Sequence, residues 1–153
     1  MSLFGVKLRH LRDAHGLSQS ELARRLNLAS HSHISHLEAS RAMPSILFVH
    51  QLATLFSTTT DYLLRDEIVV EQIPVYLEDN GTAMQMFGSK VRALRKARQW
   101  TQTDLAHQLN LQTHSHISLM EVGKNEPSIE ILLRLSTLFE MTTDELIRDS
   151  VVL

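Results

Sequence analysis

The sequence predicts an all-α protein of two tandem five-helix domains, residues 1–66 and 84–149, joined by an extended linker of β character over residues 67–83. Three observations lead there. The chain repeats itself, its apolar residues recur at helical spacing, and helix-capping residues punctuate each apolar run. Shifting the chain by 83 residues lays Phe4–Asp66 over Phe87–Asp149 without a gap, with 32 of the 63 aligned positions identical. Shared landmarks include Gln19/Gln102, Ile34/Ile117, Glu38/Glu121, Pro44/Pro127 and the closing Arg65-Asp66/Arg148-Asp149.

Within the first copy, Phe4, Leu8 and Leu11 form an apolar stripe, and Gly16 supplies the positive φ that ends that helix. Ser18-Gln19-Ser20-Glu21 reads as a capping box opening a second helix, with Leu22, Ala23 and Leu26 turned inward. Asn27 tolerates a left-handed turn, after which a third helix carries Ile34 and Leu37 inward. Pro44-Ser45 restarts the chain into a fourth helix with Leu52, Leu55 and Phe56 on its buried side. Thr59 caps a short fifth helix ending near Leu64, and its twin Thr142 with Glu145 makes a better capping box. Trp100 stands where the first copy has Leu17 and is expected in the core.

Between the copies, Ile68–Leu77 is rich in β-branched residues and reads as extended, followed by a turn at Glu78-Asp79-Asn80-Gly81. The chain ends on the apolar tail 150–153, with Val151-Val152-Leu153 at the repeat position of Ile68-Val69-Val70. Strand pairing through linker 68–77 and tail 151–153 is one expectation, within the chain or in a homodimer. Packing on the fifth helices is the other.

Composition narrows the class. There are no cysteines, so neither disulfides nor thiolate metal sites form. No run of about 18 apolar residues and no basic-then-apolar leader is present, which fits a cytoplasmic protein with no membrane partner. The net charge of −2 hides an uneven distribution. Residues 1–66 hold seven bases against five acids, the linker four acids and no base, and residues 84–153 eight of each. Lys7, Arg9, Arg12, Arg24, Arg25 and Arg41 recur in part as Lys90, Arg92, Arg95, Lys96, Arg98 and Lys124, so a basic patch is expected despite the overall charge.

The segment Ser18–Glu38 has the arrangement a helix-turn-helix needs: one helix across the phosphate backbone, and a second whose outer face enters the major groove. In Ser18–Leu26, Ile34–Glu38, Arg41 and Pro44-Ser45 the sequence resembles the Cro and lambda-repressor-like (xenobiotic-response-element type) helix-turn-helix family. The second copy repeats the resemblance in Thr101–Ala106, Ile117–Glu121, Gly123-Lys124 and Pro127-Ser128. It implies two tandem lambda-repressor-like domains, double-stranded DNA as partner, and transcriptional regulation, with repression as the expected sign.

The same resemblance assigns roles. Gln19 and Gln102 fix register on a phosphate. Ser30, His31, Ser32 and His36 occupy the outward face of the recognition helix near residues 30–38, matched by Thr113, His114, Ser115 and Leu119 near 113–121. Arg41 and Lys124 contact the backbone, whereas Glu38 and Glu121 are structural, paired with bases of the first helix. From Ala23 to Ile34 the spacing is one residue longer than the family's usual pattern, and Ala106 to Ile117 repeats it. The turn is therefore enlarged, or the recognition helix starts differently.

No Arg, Lys, Asn or Gln lies between residues 29 and 37, so the bidentate Arg–guanine contact is absent there. Shape, backbone contacts and water then carry much of the specificity. His31-x-His33 with His36 invites a metal reading, but i and i+2 face different sides of a helix and Leu119 breaks the second copy, so no metal or other cofactor is expected. Protonation of these histidines near their reference pKa of about 6.5 would strengthen attraction to phosphate. No phosphate-cradling glycine loop, nucleophile elbow or metalloprotease signature is present, so no enzyme is expected. The rival class is a protein-interaction or antitoxin-like module in which one copy has lost DNA binding. The second is the expected one, because His107 and Gln108 replace Arg24 and Arg25.

Overall fold

A computed structural model describes residues 3–74 and 82–151. The chain divides into two compact units, Met1–Glu78 and Asp79–Leu153. The first holds α1 (Phe4–Ala14), α2 (Gln19–Arg25), α3 (Ser32–Glu38), α4 (Ile46–Leu55) and α5 (Thr60–Leu64). The second holds α6 (Phe87–Ala97), α7 (Gln102–Gln108), α8 (Ser115–Glu121), α9 (Ile129–Phe139) and α10 (Thr143–Ile147). Among the described residues no helix is long and apolar enough to cross a membrane.

The caps explain where these short helices start. Ser18, Ser45 and Thr59 each accept the backbone N–H three residues on, and Thr101, Ser128 and Thr142 do the same in the second unit. The box expected at Ser18 is only half formed. Glu21 does not return to the Ser18 backbone; its carboxylate takes the Arg24 guanidinium at 2.6 Å instead. The complete boxes are Thr101–Asp104 and Thr142–Glu145.

Each core is small and apolar. Leu8, Leu11, Leu22, Ile34, Leu37, Leu52 and Leu63 are fully buried in unit one, and Val91, Leu105, Ile117, Met120, Leu132, Leu135 and Leu146 in unit two. Leu26 and Leu55, expected inside, are only half-buried. So is Trp100, which covers the core rim with its ring centroid 6.2 Å from that of Phe139 and the Arg98 guanidinium 5.2 Å above it. A cation over the indole face makes the rim position favourable.

The linker corrects one expectation. Its described part, residues 67–74, turns at 66–67 and 70–71 and is irregular over 72–74, with Ile68 N–H donating to Arg65 O and Gln72 N–H to Val69 O. The buried Tyr62 hydroxyl donates to the Val70 carbonyl, folding the run onto α5. β-branched residues without a partner strand satisfy their backbone locally. Val75, Tyr76, Leu77 and the turn at 78–81 lie outside the described residues, as do residues 152 and 153. Pairing does occur at the linker's other end. Ala83 bridges Arg148 in antiparallel fashion, with Met84 N–H to Ile147 O at 2.7 Å and Asp149 N–H to Thr82 O at 2.9 Å.

Candidate nucleic-acid interface

The outer face of α3 is defined by how tightly its inner face is held. Gly5 of α1 lies so close to α3 that a Cβ there would sit 2.6 Å from both Leu37 O and Glu38 O. Gly88 has the same relation to α8, where a Cβ would meet the backbone oxygens of Met120 and Glu121. A side chain at either position would lever the third helix outward.

A buried polar lock adds to this. The Glu38 side chain is fully buried and receives Arg12 Nε at 2.6 Å, Arg12 Nη2 at 3.2 Å and Gln19 Nε2 at 2.9 Å. Arg9 reaches the same carboxylate at 3.3 Å. Glu121 repeats the lock with Arg95 Nε at 2.6 Å, Arg95 Nη2 at 3.0 Å and Gln102 Nε2 at 3.0 Å. Burial pushes each carboxyl up, but the hydrogen bonds from the arginine and glutamine and the arginine charge outweigh it. Both acids are therefore held below their ordinary value, and charged. The structural role expected for Glu38 and Glu121 is what the geometry displays.

Gln19 and Gln102 are each partly committed to this lock, and each stands half-exposed at the first position of its helix. The enlarged turn between α2 and α3 is residues 26–31, with Asn27 left-handed at φ 54° and Ser30 Oγ accepting the Ser32 N–H at 3.4 Å. Ser30 and His31 are thus exposed turn residues preceding the helix, as are Thr113 and His114 in unit two. The recognition helices open at Ser32 and Ser115, later than the sequence implied.

At about 100° per residue, the buried row Ile34–Leu37–Glu38 of α3 leaves Ser32, His36 and Ala39 on the opposite, exposed side. His33 lies at the flank, edge-on to the Phe48 ring at 5.1 Å. On α8 the outward row is Ser115, Leu119 and Val122, with Leu119 38% and Val122 60% exposed. Ala39 and Val122 were missed from sequence because each caps the end of its helix. Directly beyond, Ser40 and Gly123 adopt positive φ, and Arg41 and Lys124 follow, exposed and without an ion pair among the described residues.

The expected basic patch is smaller than the sequence suggested. Lys7 is buried, its ammonium donating to Tyr62 O at 2.7 Å and to Arg65 O at the end of α5. Lys90 donates likewise to Glu145 O at 2.7 Å and Arg148 O at 2.6 Å. Burial lowers both ammonium pKa values, against the opposing pull of Asp66 and Glu67 in one unit and Asp149 and Glu145 in the other. Lys7, Lys90, Arg12 and Arg95 therefore hold the fold rather than a phosphate. Arg24 is exposed but paired with Glu21, and Arg98 lies over Trp100 and Phe139. Arg41 and Lys124 follow the outward rows, and Arg92 and Lys96 on α6 are likewise exposed without an ion pair among the described residues.

A helix held from behind by glycine contact and a buried ion pair, with its outward row exposed beyond a preceding helix, is the geometry of a helix-turn-helix unit. Residues 3–65 match the family model described as a helix-turn-helix domain, and residues 91–146 match a second model described as helix-turn-helix. The chain belongs to the helix-turn-helix family of DNA-binding proteins, in two tandem copies of the Cro and lambda-repressor-like type. No curated protein and no solved structure matches it.

Proposed function

We propose that the protein is a sequence-specific transcriptional regulator, acting as a repressor, which reads the major groove with α3 and α8. The observation that carries this reading is the outward row of each helix, left exposed while the inner row is locked to its own unit. Ser32 and His36, with Ser30 and His31 in the turn, face bases in the first half-site. Thr113, His114, Ser115 and Leu119 do so in the second. Gln19 and Gln102 reach a phosphate with the remaining N–H of an amide whose other N–H the buried glutamate accepts. Arg41 and Lys124 neutralise phosphates just beyond the recognition helices.

Selection of bound duplexes from a random library, at a fixed salt of about 0.1 M, tests the reading. A two-part motif is expected, one part for each copy. Failure to enrich any sequence would refute it. Alanine at Arg41 or Lys124 should weaken binding to all duplexes alike and lower the salt slope by about one each. Repression is tested by placing the selected duplex upstream of a reporter; activation on protein expression would reverse the sign. Self-association through the linker and tail is tested by sedimentation of the chain lacking residues 150–153, where unchanged mass and stability would discard it.

A further inference from the structure

The two outward rows occupy equivalent positions on equivalent helices but offer different chemistry. Ser32 and Ser115 match, whereas His36 is replaced by Leu119 and Ala39 by Val122. Leu119 and Val122 lie one helical turn apart on the side of α8 opposite Ile117 and Met120, both of which are fully buried. No core residue covers them, and Leu119 is 38% and Val122 60% exposed. Neither can donate or accept a hydrogen bond. In unmodified DNA the apolar group that a base edge presents in the major groove is the C5-methyl of thymine.

We propose that Leu119 and Val122 select the second half-site through C5-methyl groups of pyrimidines, thymine in unmodified DNA, whereas His36 makes the first half-site hydrogen-bonded and methyl-independent. The inference rests on the reading of α8 as a groove-facing helix. It makes the two half-sites chemically unlike: one tolerates loss of its methyls and the other does not. 5-Methylcytosine carries the same methyl at the same groove position and satisfies the same contact.

The test selects duplexes from a random library, then remakes the selected duplexes with deoxyuridine in place of thymidine. Binding of the full chain should fall roughly fourfold for each methyl lost from the second half-site, the value expected for one buried carbon group, and hardly at all for the first. At the same pair, cytosine should bind more weakly than 5-methylcytosine, which separates the methyl from other features of thymine. Leu119→His with Val122→Ala, which gives α8 the outward row of α3, should abolish the uracil effect. Both positions are exposed, so the variant should melt with the parent chain. His36→Leu with Ala39→Val should create the uracil effect in the first half-site.

Equal binding of uracil and thymine duplexes by the parent chain would overturn the inference while leaving DNA reading intact. A uracil effect that survives Leu119→His/Val122→Ala would overturn it too. Failure to enrich any duplex would overturn both, and the apolar pair would then face a protein.

Discussion

Replacing Glu121 by glutamine isolates the lock that fixes α8. The carboxylate is 3% exposed and its partner Arg95 10%, so water cannot take over the contacts that are lost. Arg95 approaches it at 2.6 and 3.0 Å and Gln102 at 3.0 Å, giving three hydrogen bonds to one buried anion. Removing one partner of a buried ion pair costs about 3–5 kcal/mol, because the other charge stays buried. Glutamine keeps the volume and one acceptor oxygen, which places the expected loss at the low end, about 3 kcal/mol. For a unit of this size that corresponds to a melting shift of roughly 12–24 °C. Trp100 is the single tryptophan and its carbonyl accepts Arg95 Nη1 at 2.7 Å, so its fluorescence follows unit two alone. A double-mutant cycle with Arg95→Met and Glu121→Met should show the paired change costing much less than the two single changes combined. A Glu121→Gln melt within about 3 °C of the parent, well under the shift from 1 kcal/mol, would refute the argument. So would a coupling below about 0.5 kcal/mol.

Acid should act through the same group. Glu121 is held below its ordinary value of 4.5, so its contribution is fully present above that pH and is lost as pH falls through the lowered folded value. Denaturant titration of the parent should steepen in its loss of stability below about pH 4.5, and Glu121→Gln should flatten that limb; an unchanged limb would contradict the assignment. Gly88→Ala should destabilise by about 1–3 kcal/mol or displace α8, since its Cβ would run into the Met120 carbonyl oxygen. A variant that melts with the parent and binds the selected duplex equally would count against that packing. Ser40 and Gln99 adopt φ of 55° and 57° where their twins are Gly123 and Gly16, so Ser40→Gly and Gln99→Gly should each stabilise by about 0.5–1 kcal/mol. Thermal melts check the sign, and destabilisation by either would reject it.

The parts legible in the sequence are those whose cause is local. Ser45, Thr59, Thr101 and Thr142 cap helices because each bond spans three residues, and Asn27 and Asn110 take left-handed turns at φ 54°. Glu38 was legible through the family resemblance, which marks its position as a structural acid paired with bases of the first helix. What escaped depends on partners far along the chain. Lys7 looked like a surface base, yet its acceptors lie 55 and 58 residues away at the end of α5. The recurrence of Lys7 as Lys90 and of Gly5 as Gly88, beside the exchange of Val6 for Ser89, was the available signal. The linker misled for the opposite reason. Ile68, Val69 and Val70 have strand propensity, but their described neighbours offer a tyrosine hydroxyl and local carbonyls rather than a second strand.

The repeat itself separates scaffold from reading surface. Gly5, Lys7, Arg12, Gln19, Glu38 and Asp66 all recur unchanged, and each holds a helix in place, Asp66 and Asp149 by accepting the N–H groups at the start of α1 and α6. Of the exposed positions, His31, Ser32 and His33 recur as well, whereas those toward the end of the recognition helix and beyond it differ. His36 and Ala39 become Leu119 and Val122, and the exposed Met43 and Leu47 become Glu126 and Glu130. Two closely similar locks therefore present faces that agree at the start of the recognition helix and differ at its end, in the same local pose. If α3 and α8 read DNA as proposed, a duplex with two different halves should bind more tightly than a symmetric palindrome of either half. The acidic pair near α8 should also make the second half the more easily weakened by loss of a phosphate contact at Lys124.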